Sequence, residues 1–374
     1  MPRPIGEHFS ATRMISATPI PIVIVGYRNP RDVAECLKAL RESSADPAFD
    51  VYICENGGMA AVEALMPSLV GADGPCDADP APTVPAEIAV RFAGVHRLRL
   101  RGREAHVFVA AATENLGYAG GINAWLRILL TGPAFPGVWI LNPDTQPDPL
   151  ALAELVAWST ARRKGMVGSR VVPLARPEIV QSRGLRWRPL LGSTEAVDYH
   201  APSSIEPDPD ALEARIDAPS GASLYVTHAC IRSIGLMDER YFLYFEDLDW
   251  GYRAKSHCGV GYAYKSIVPH HGGTTIGSAA RRSARSQLSV YLEFRNRVHF
   301  VRQYHHTWLP WTLLVLFTRS LEFGIVGAFA NMRAALSGLA AAVRGETGRP
   351  DRILGHHRPP SVPLAEGRSE RNGS

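Results

Sequence analysis

Cysteine, net charge and long apolar runs are all scarce in this chain. Its five cysteines (Cys36, Cys54, Cys76, Cys230 and Cys258) are scattered, and no two have C-x-x-C spacing. That argues against a zinc site or a disulfide framework and fits a reducing compartment. The formal net charge is only +4 over 374 residues, too weak to imply a nucleic-acid partner. The first twenty residues carry Arg3, Glu7, His8 and Arg13 without a continuous apolar core. This argues against a secretory signal and predicts a cytoplasmic protein. The uncharged stretch Gln303–Thr318 contains two histidines and is too short for a comfortable membrane span. No internal repeat is visible.

What is present is a globular composition, 46% apolar and 20% charged, long enough for one large domain with an appendage. Ile20–Val25 is a continuous apolar, β-branched run, as in a strand buried on both faces of a parallel sheet. An amphipathic helix should follow from Pro30, with proline in its first turn. Short strands at 51–54, 106–110 and 138–141, with a helix starting near Tyr118, continue the alternation. Residues 71–87, rich in Gly, Pro, Ala and Asp, should be a surface insertion. Further strand-like pieces lie at 166–172, 179–187, 223–227 and 261–265, with a loop at 201–210 and a helix from Glu246 to Lys255. Strands alternating with helices imply a doubly wound α/β sheet with its ligands at the carboxyl ends of strands.

Several motifs fall at those ends. Asn142-Pro-Asp144-Thr closes an apolar strand, and Asp144 could hold a hard divalent cation there. Asn115-Leu-Gly117-Tyr-Ala-Gly120-Gly121-Ile-Asn123 places three glycines before a helix, where backbone amides can approach a phosphate or sugar. Tyr241–Trp250 is an aromatic run followed by Glu246, Asp247 and Asp249. Dipole stabilisation and an Asp249–Arg253 pair explain two of those acids. Asp247 is the candidate base, its proton affinity raised by neighbouring aromatics and carboxylates. His270 could complete a metal site opposite Asp144, with His271 as a one-residue alternative, and an imidazole makes Mn²⁺ as plausible as Mg²⁺.

Arg281, Arg282, Arg285, Arg295, Arg297 and Arg302 crowd a segment whose only acid is Glu293. Such a cluster suits phosphates or an anionic membrane surface, or is simply a solvated basic face. In residues 308–344, if helical throughout, Arg319, Glu322, Arg333, Ser337 and Arg344 share a stripe about 60° wide, leaving the rest apolar. That face predicts membrane-interface contact, with packing on the sheet domain or a homodimer contact as the alternative.

In this order the motifs resemble the inverting glycosyltransferases of family 2, especially the rhamnosyltransferase-like branch. The resemblance spans residues 20–303 and also draws on Ile22–Tyr27, Glu55-Asn56, Ser220-Gly-Ala222 and Gly235–Glu239. It implies a GT-A fold, a mixed doubly wound sheet with a Rossmann-like nucleotide half (19–145) and an acceptor half (146–303). An N-terminal tail (1–18), a C-terminal helical membrane-associating region (304–344) and a disordered tail (345–374) complete the expected organisation. It implies Asp144 and His270 as metal contacts, Asp247 as base, and Tyr27 and Glu55 at the nucleotide base and ribose. Asn142 takes the first position of the DxD-type motif, and Arg295 approaches the diphosphate. The chain departs from the family at Gly26, where Thr or Ser is usual, and at Glu55, where Asp is usual. The implied partners are a dTDP- or UDP-sugar donor, a divalent metal and a lipid-linked saccharide acceptor. A nucleotidyltransferase and a catalytically silent sugar-nucleotide-binding scaffold are the alternatives.

Overall fold

A computed structural model describes residues 18–79, 91–272 and 285–355. Its centre is a nine-stranded sheet in the order β11-β7-β10-β6-β1-β2-β5-β4-β3. The strands are β1 (Ile20–Gly26), β2 (Phe49–Glu55), β3 (Cys76–Ala78), β4 (Phe92–Leu100), β5 (His106–Ala112), β6 (Gly137–Leu141), β7 (Met166–Pro173), β10 (Ser223–Thr227) and β11 (Val260–His270). β8 (Leu185–Arg188) and β9 (Ser193–Ala196) form a separate hairpin.

β1, β2, β5 and β6 run parallel, whereas β10 pairs antiparallel with both β6 and β7. All seven residues of β1 are buried, as its unbroken apolar run predicts. Helices α1 (Pro30–Arg41), α2 (Met59–Val70), α3 (Gly117–Leu129), α4 (Ala151–Arg162), α5 (Pro209–Arg215), α6 (His228–Ile234) and α7 (Glu246–His257) connect the strands. Two apolar cores result, one around Ile22, Ile24, Leu37 and Trp139, the other around Val23, Trp125, Ile140 and Trp250. The fold class is therefore the one expected, doubly wound α/β with a mixed sheet and a helical extension.

The differences are local. Part of the expected insertion is β3, whose alternation is too short to read; residues 80–90 lie outside the described residues. Of the strand expected over 179–187, β8 covers only the end, the remainder making isolated bridges such as Val171–Ser182. Cys230 and Cys258 form a disulfide, correcting the reading against one. The first turn of α6 meets the end of α7, a closeness that sequence spacing cannot reveal.

The extension comprises α8 (Gln287–Tyr304), α9 (Leu309–Ile325), α10 (Phe329–Val343) and the short α11 (Asp351–Leu354). Gly327, at φ +73°, separates α9 from α10, so the polar stripe drawn through both does not lie on one continuous helix. Residues 345–355, expected to be disordered, include α11; residues 356–374 are outside the described part. The described members of the arginine cluster are engaged internally. Arg285 and Arg297 both pair with Glu293, Arg302 donates to the Ala342 carbonyl, and Arg295 is buried. Arg281 and Arg282 lie outside the described residues.

Candidate active site

The carboxyl ends of β1, β5 and β6 and the start of α7 surround a cleft of about 590 Å³. Tyr27, Asn115, Gly117, Asn142, Asp144, Asp247 and His270 all line it. These residues come from distant parts of the chain, and the sheet order brings them together.

β6 ends at Leu141, and Asp144, in the turn that follows with Pro143, lines the cleft. Residues 144–146 then pair with the end of β11: the His271 amide donates to the Asp144 carbonyl at 2.9 Å and the Gln146 amide to the Pro269 carbonyl at 2.9 Å. That pairing sets His270 Nε2 3.2 Å from Asp144 Oδ1, both side chains no more than 10% exposed. Burial alone would raise the Asp144 pKa. The hydrogen bond and charge of His270, with backbone amides, outweigh it and hold the carboxyl below its ordinary value. His271 is exposed and meets Asp144 only through its backbone. Gln181 Nε2 stands 3.0 Å from His270 Nδ1 and fixes the ring. No sequence signal marked Gln181, because it belongs to the irregular stretch before β8.

Among the described residues no three His, Cys, Asp or Glu side chains gather as a metal cluster. A Mg²⁺ or Mn²⁺ ion nevertheless fits Asp144 and His270 as donors, because such ions commonly take one or two protein ligands and complete their shell with substrate phosphates and water. With the Gln181 amide turned so that its oxygen accepts from Nδ1–H, Nε2 is free to ligate.

Asp247 is held from the other side. Its Oδ2 accepts from the Gly221 amide at 3.1 Å and its Oδ1 from the Leu248 amide at 2.8 Å. A Cβ at Gly221 would lie 2.8 Å from Asp247 Oδ2, so only glycine allows this approach. The Tyr118 hydroxyl shares its one proton between the Gly221 carbonyl (2.8 Å) and Asn142 Oδ1 (3.0 Å), tying the two halves of the cleft together. Burial pushes the Asp247 carboxyl above its ordinary pKa despite the two amides. Glu246 is raised further, by burial and then by Asp247, and its Oε2 has no hydrogen-bond partner among the described residues. Asp249, by contrast, is fully buried and neutralised by Arg253 at 2.7 Å, with Tyr304 donating to its other oxygen. Of the three acids, then, Glu246 and Asp247 face the cleft.

The loop presenting them is strained. Phe242, Tyr244 and Phe245 have φ of 65°, 68° and 77°, conformations costing roughly 1–3 kcal/mol each for side-chain-bearing residues. The Leu243 amide donates to the Tyr241 carbonyl at 2.7 Å, closing a γ-turn at Phe242. The Phe242 carbonyl accepts from the Tyr118 amide, and Gly117 (φ +73°) has no room for a Cβ beside it.

Other expected residues sit elsewhere. Glu55 is 1% exposed beneath the cleft floor, where it accepts from the amides of Arg28 (3.0 Å) and Gly57 (2.8 Å); burial still raises its pKa. Gly120 faces Leu116 at the N-cap of its own helix, Gly121 lets α3 approach Val25 of β1, and neither lines the cleft. Asn123 is buried against Met237 and Glu239. Arg295 is the clearest correction: it is 2% exposed and turned away from the cleft, its guanidinium spent on backbone carbonyls.

No protein-family model matches the chain. Over 262 residues it is 22% identical to the low-salt glycan biosynthesis hexosyltransferase Agl10 of Haloferax volcanii, covering 64% of this chain and 76% of that one. Over 224 residues it is 29% identical to the N-acetylglucosaminyl-diphospho-decaprenol L-rhamnosyltransferase of Mycobacterium tuberculosis, covering 53% and 69%. Among solved structures, the mannosyltransferase PcManGT of Pyrobaculum calidifontis, in complex with GDP-Man and Mn²⁺, aligns over 88% of both chains at 13% identity, with a TM-score of 0.47. Both sequence relatives are named as glycosyltransferases, one a hexosyltransferase and one an L-rhamnosyltransferase, in accord with the resemblance of the motifs, and the chain is a glycosyltransferase.

Proposed function

We propose that the enzyme is a metal-dependent inverting glycosyltransferase, with L-rhamnose from dTDP-rhamnose as first candidate donor and UDP-sugars, including UDP-galactofuranose, as the alternative. The acceptor would be a lipid-linked saccharide, the class named for the mycobacterial relative. One observation carries the reading: Asp247 faces the same cleft as the Asp144–His270 pair, with the Tyr118 hydroxyl between the two halves.

In this reading the acceptor hydroxyl enters beside Asp247, which takes its proton as the oxygen attacks the anomeric carbon. Burial raises the affinity of Asp247 for that proton, and the Gly221 amide fixes the accepting oxygen. Asp144 and His270 would hold a divalent ion, which when bound would supply positive charge to the departing nucleotide diphosphate as its bond to the anomeric carbon breaks. Tyr27, Asn56 and Asn115 line the nucleotide side. A single base and a single displacement give inversion. A retaining double displacement would need two carboxylates about 5 Å apart across the bond. Glu246 and Asp247, adjacent in the first turn of a helix, do not supply that geometry.

Residues 19–145 would bind the nucleotide, residues 146–303 the acceptor, and residues 304–344 would meet the cytoplasmic face of a membrane. Support for the last comes from α9: Trp311, Leu314, Phe317, Leu321 and Ile325 are all exposed along one face. Trp311 donates to the Leu190 carbonyl, which brings exposed Leu190 and Leu191 beside that face. Among the described residues no helix is long and apolar enough to cross a membrane.

The test is nucleotide release from dTDP-rhamnose and from UDP-sugars, with and without Mn²⁺, in the presence of lipid-linked acceptors. Release only with dTDP-rhamnose supports the first donor, and release with a UDP-sugar supports the second. Pyrophosphate as product would replace the reading with nucleotidyl transfer.

A further inference from the structure

The arginine–asparagine pair at the centre of α8 has no access to the cleft, yet it contacts the loop that carries the candidate base. Asn296 is fully buried. Its Nδ2 shares two N–H donors among three carbonyls of that loop, those of Tyr241 (2.8 Å), Leu243 (2.8 Å) and Tyr244 (2.9 Å). Its Oδ1 accepts from Arg295 Nε at 2.9 Å, which fixes which end of the amide faces the loop. Arg295 Nη2 adds a bond to the Tyr241 carbonyl (3.1 Å), and Nη1 reaches the Gly348 carbonyl (2.8 Å).

The γ-turn and left-handed residues of this loop leave their carbonyls without helix or strand partners. Buried carbonyls need donors, and backbone this strained persists only where its surroundings over-determine it. A glycine-rich loop would adopt these angles more easily but would not hold them. Immediately after Phe245, Glu246 and Asp247 enter the cleft.

We propose that Asn296, oriented by Arg295, is a positioning residue for Asp247. Its amide locks the 241–245 loop in the one conformation that sets the carboxylate against the Gly221 amide. This rests on the glycosyltransferase reading only for its kinetic arm. Its second arm requires no substrate.

The kinetic arm compares wild type with Asn296→Ala and Asn296→Asp. Turnover in Asn296→Ala should fall by about tenfold or more, as expected for a misplaced catalytic group, while nucleotide affinity stays near wild type. Asn296→Asp, though nearly isosteric, should be worse than alanine, because an ionised carboxylate would face three carbonyl oxygens. In an Asp247→Asn background Asn296→Ala should cost no further turnover, since residues acting as a unit are non-additive. The substrate-free arm measures the melting-temperature gain from Asp247→Asn as a function of pH. In wild type that gain should appear above the unfolded-state carboxyl pKa, and in the Asn296→Ala background it should shrink as the loop relaxes and Asp247 hydrates.

Wild-type turnover in Asn296→Ala, or an undiminished thermal gain, would overturn the proposal. Equal losses of nucleotide affinity and turnover would overturn it too, because the clamp acts only through Asp247. Arg295→Lys serves as a milder second variant: it keeps a cation but cannot supply the fork to Asn296 and Gly348, and an intermediate loss is expected. Unfolding of both the Asn296→Ala and Arg295→Lys proteins would also count against it, because the contacts concern one loop and not the sheet. If no donor is turned over yet the thermal gain shrinks, the functional reading fails and the clamp stands.

Discussion

His270 Nε2 stands 3.2 Å from Asp144 Oδ1 although 126 residues separate the two in sequence. The bridge between Thr145 and His270 creates that proximity, so the site is a property of the sheet edge and not of either motif alone.

If this pair holds the cation, Asp144→Asn and His270→Ala should each raise the Mn²⁺ concentration needed for half-maximal turnover. His271→Ala should leave it nearly unchanged, since that side chain is exposed. Gln181→Leu, which removes the support of the imidazole, should weaken metal dependence by about 10- to 100-fold. Titration of nucleotide release with Mn²⁺ after chelation reads all four variants, and a larger effect at His271 than at His270 would reverse the assignment.

Asp247→Asn should lower turnover by about 10²- to 10⁴-fold and spare donor binding. Because burial raises the folded-state pKa of Asp247, the wild-type rate should fall as pH drops through that raised value. Stability has the opposite sense. The folded state binds this proton more tightly than the unfolded chain, so ionisation above the unfolded pKa costs stability. The asparagine variant should therefore melt higher than wild type at neutral pH and the same in strong acid, as calorimetry across pH would show.

Glu246 shares that environment without the two amides that serve Asp247, and its Oε2 has no hydrogen-bond partner among the described residues. Glu246→Gln should raise the melting temperature at neutral pH, again by relieving an acid whose ionisation burial opposes. Thermal denaturation of the variant with bound nucleotide absent checks this, and a lower melting point would mean that a partner stabilises the carboxylate.

Gly221→Ala places a methyl 2.8 Å from Asp247 Oδ2. Overpacking of this kind costs about 1–3 kcal/mol where neighbours cannot yield. The carboxylate would be displaced first, so turnover should drop more than tenfold, on the order of the loss for a misplaced catalytic group, with nucleotide affinity retained. Stopped-time assays beside nucleotide titration separate the two quantities.

Replacing Leu314 and Phe317 by glutamate should abolish co-sedimentation with anionic phospholipid vesicles if α9 meets a membrane. Turnover of a short water-soluble acceptor should be preserved. Unchanged sedimentation together with loss of a dimer in ultracentrifugation would assign the face to a second copy of the chain.

Much of this architecture was legible because its signals are local. Unbroken apolar runs marked β1, β2 and β6, and the acid-rich turn marked the start of α7. Tyr27, Asn115, Asn142, Asp144, Asp247 and His270 were found by motif, and the sheet order brings them to one cleft. What escaped was long-range. Gln181 touches His270 from an irregular segment, and Cys230 meets Cys258 because two helix ends converge. Arg295 misled for a related reason: charge composition suggested a phosphate, but a guanidinium also satisfies backbone carbonyls, and only the fold shows which it found. The glycines divided similarly, Gly117 standing at the cleft while Gly121 merely lets α3 approach β1.

Gly221 accepts from the Tyr118 hydroxyl at its carbonyl and, across its Cα, offers its N–H to Asp247. The two peptide units that meet at the Gly221 Cα thus link the floor of the cleft to the base, and the two separate only by breaking one of those bonds or by turning about that Cα. Widening for substrate exchange costs least at another wall. Ser286, Leu288 and Leu354 line the cleft from the helical extension, so traffic in and out of the enzyme should pass along the seam between sheet and extension.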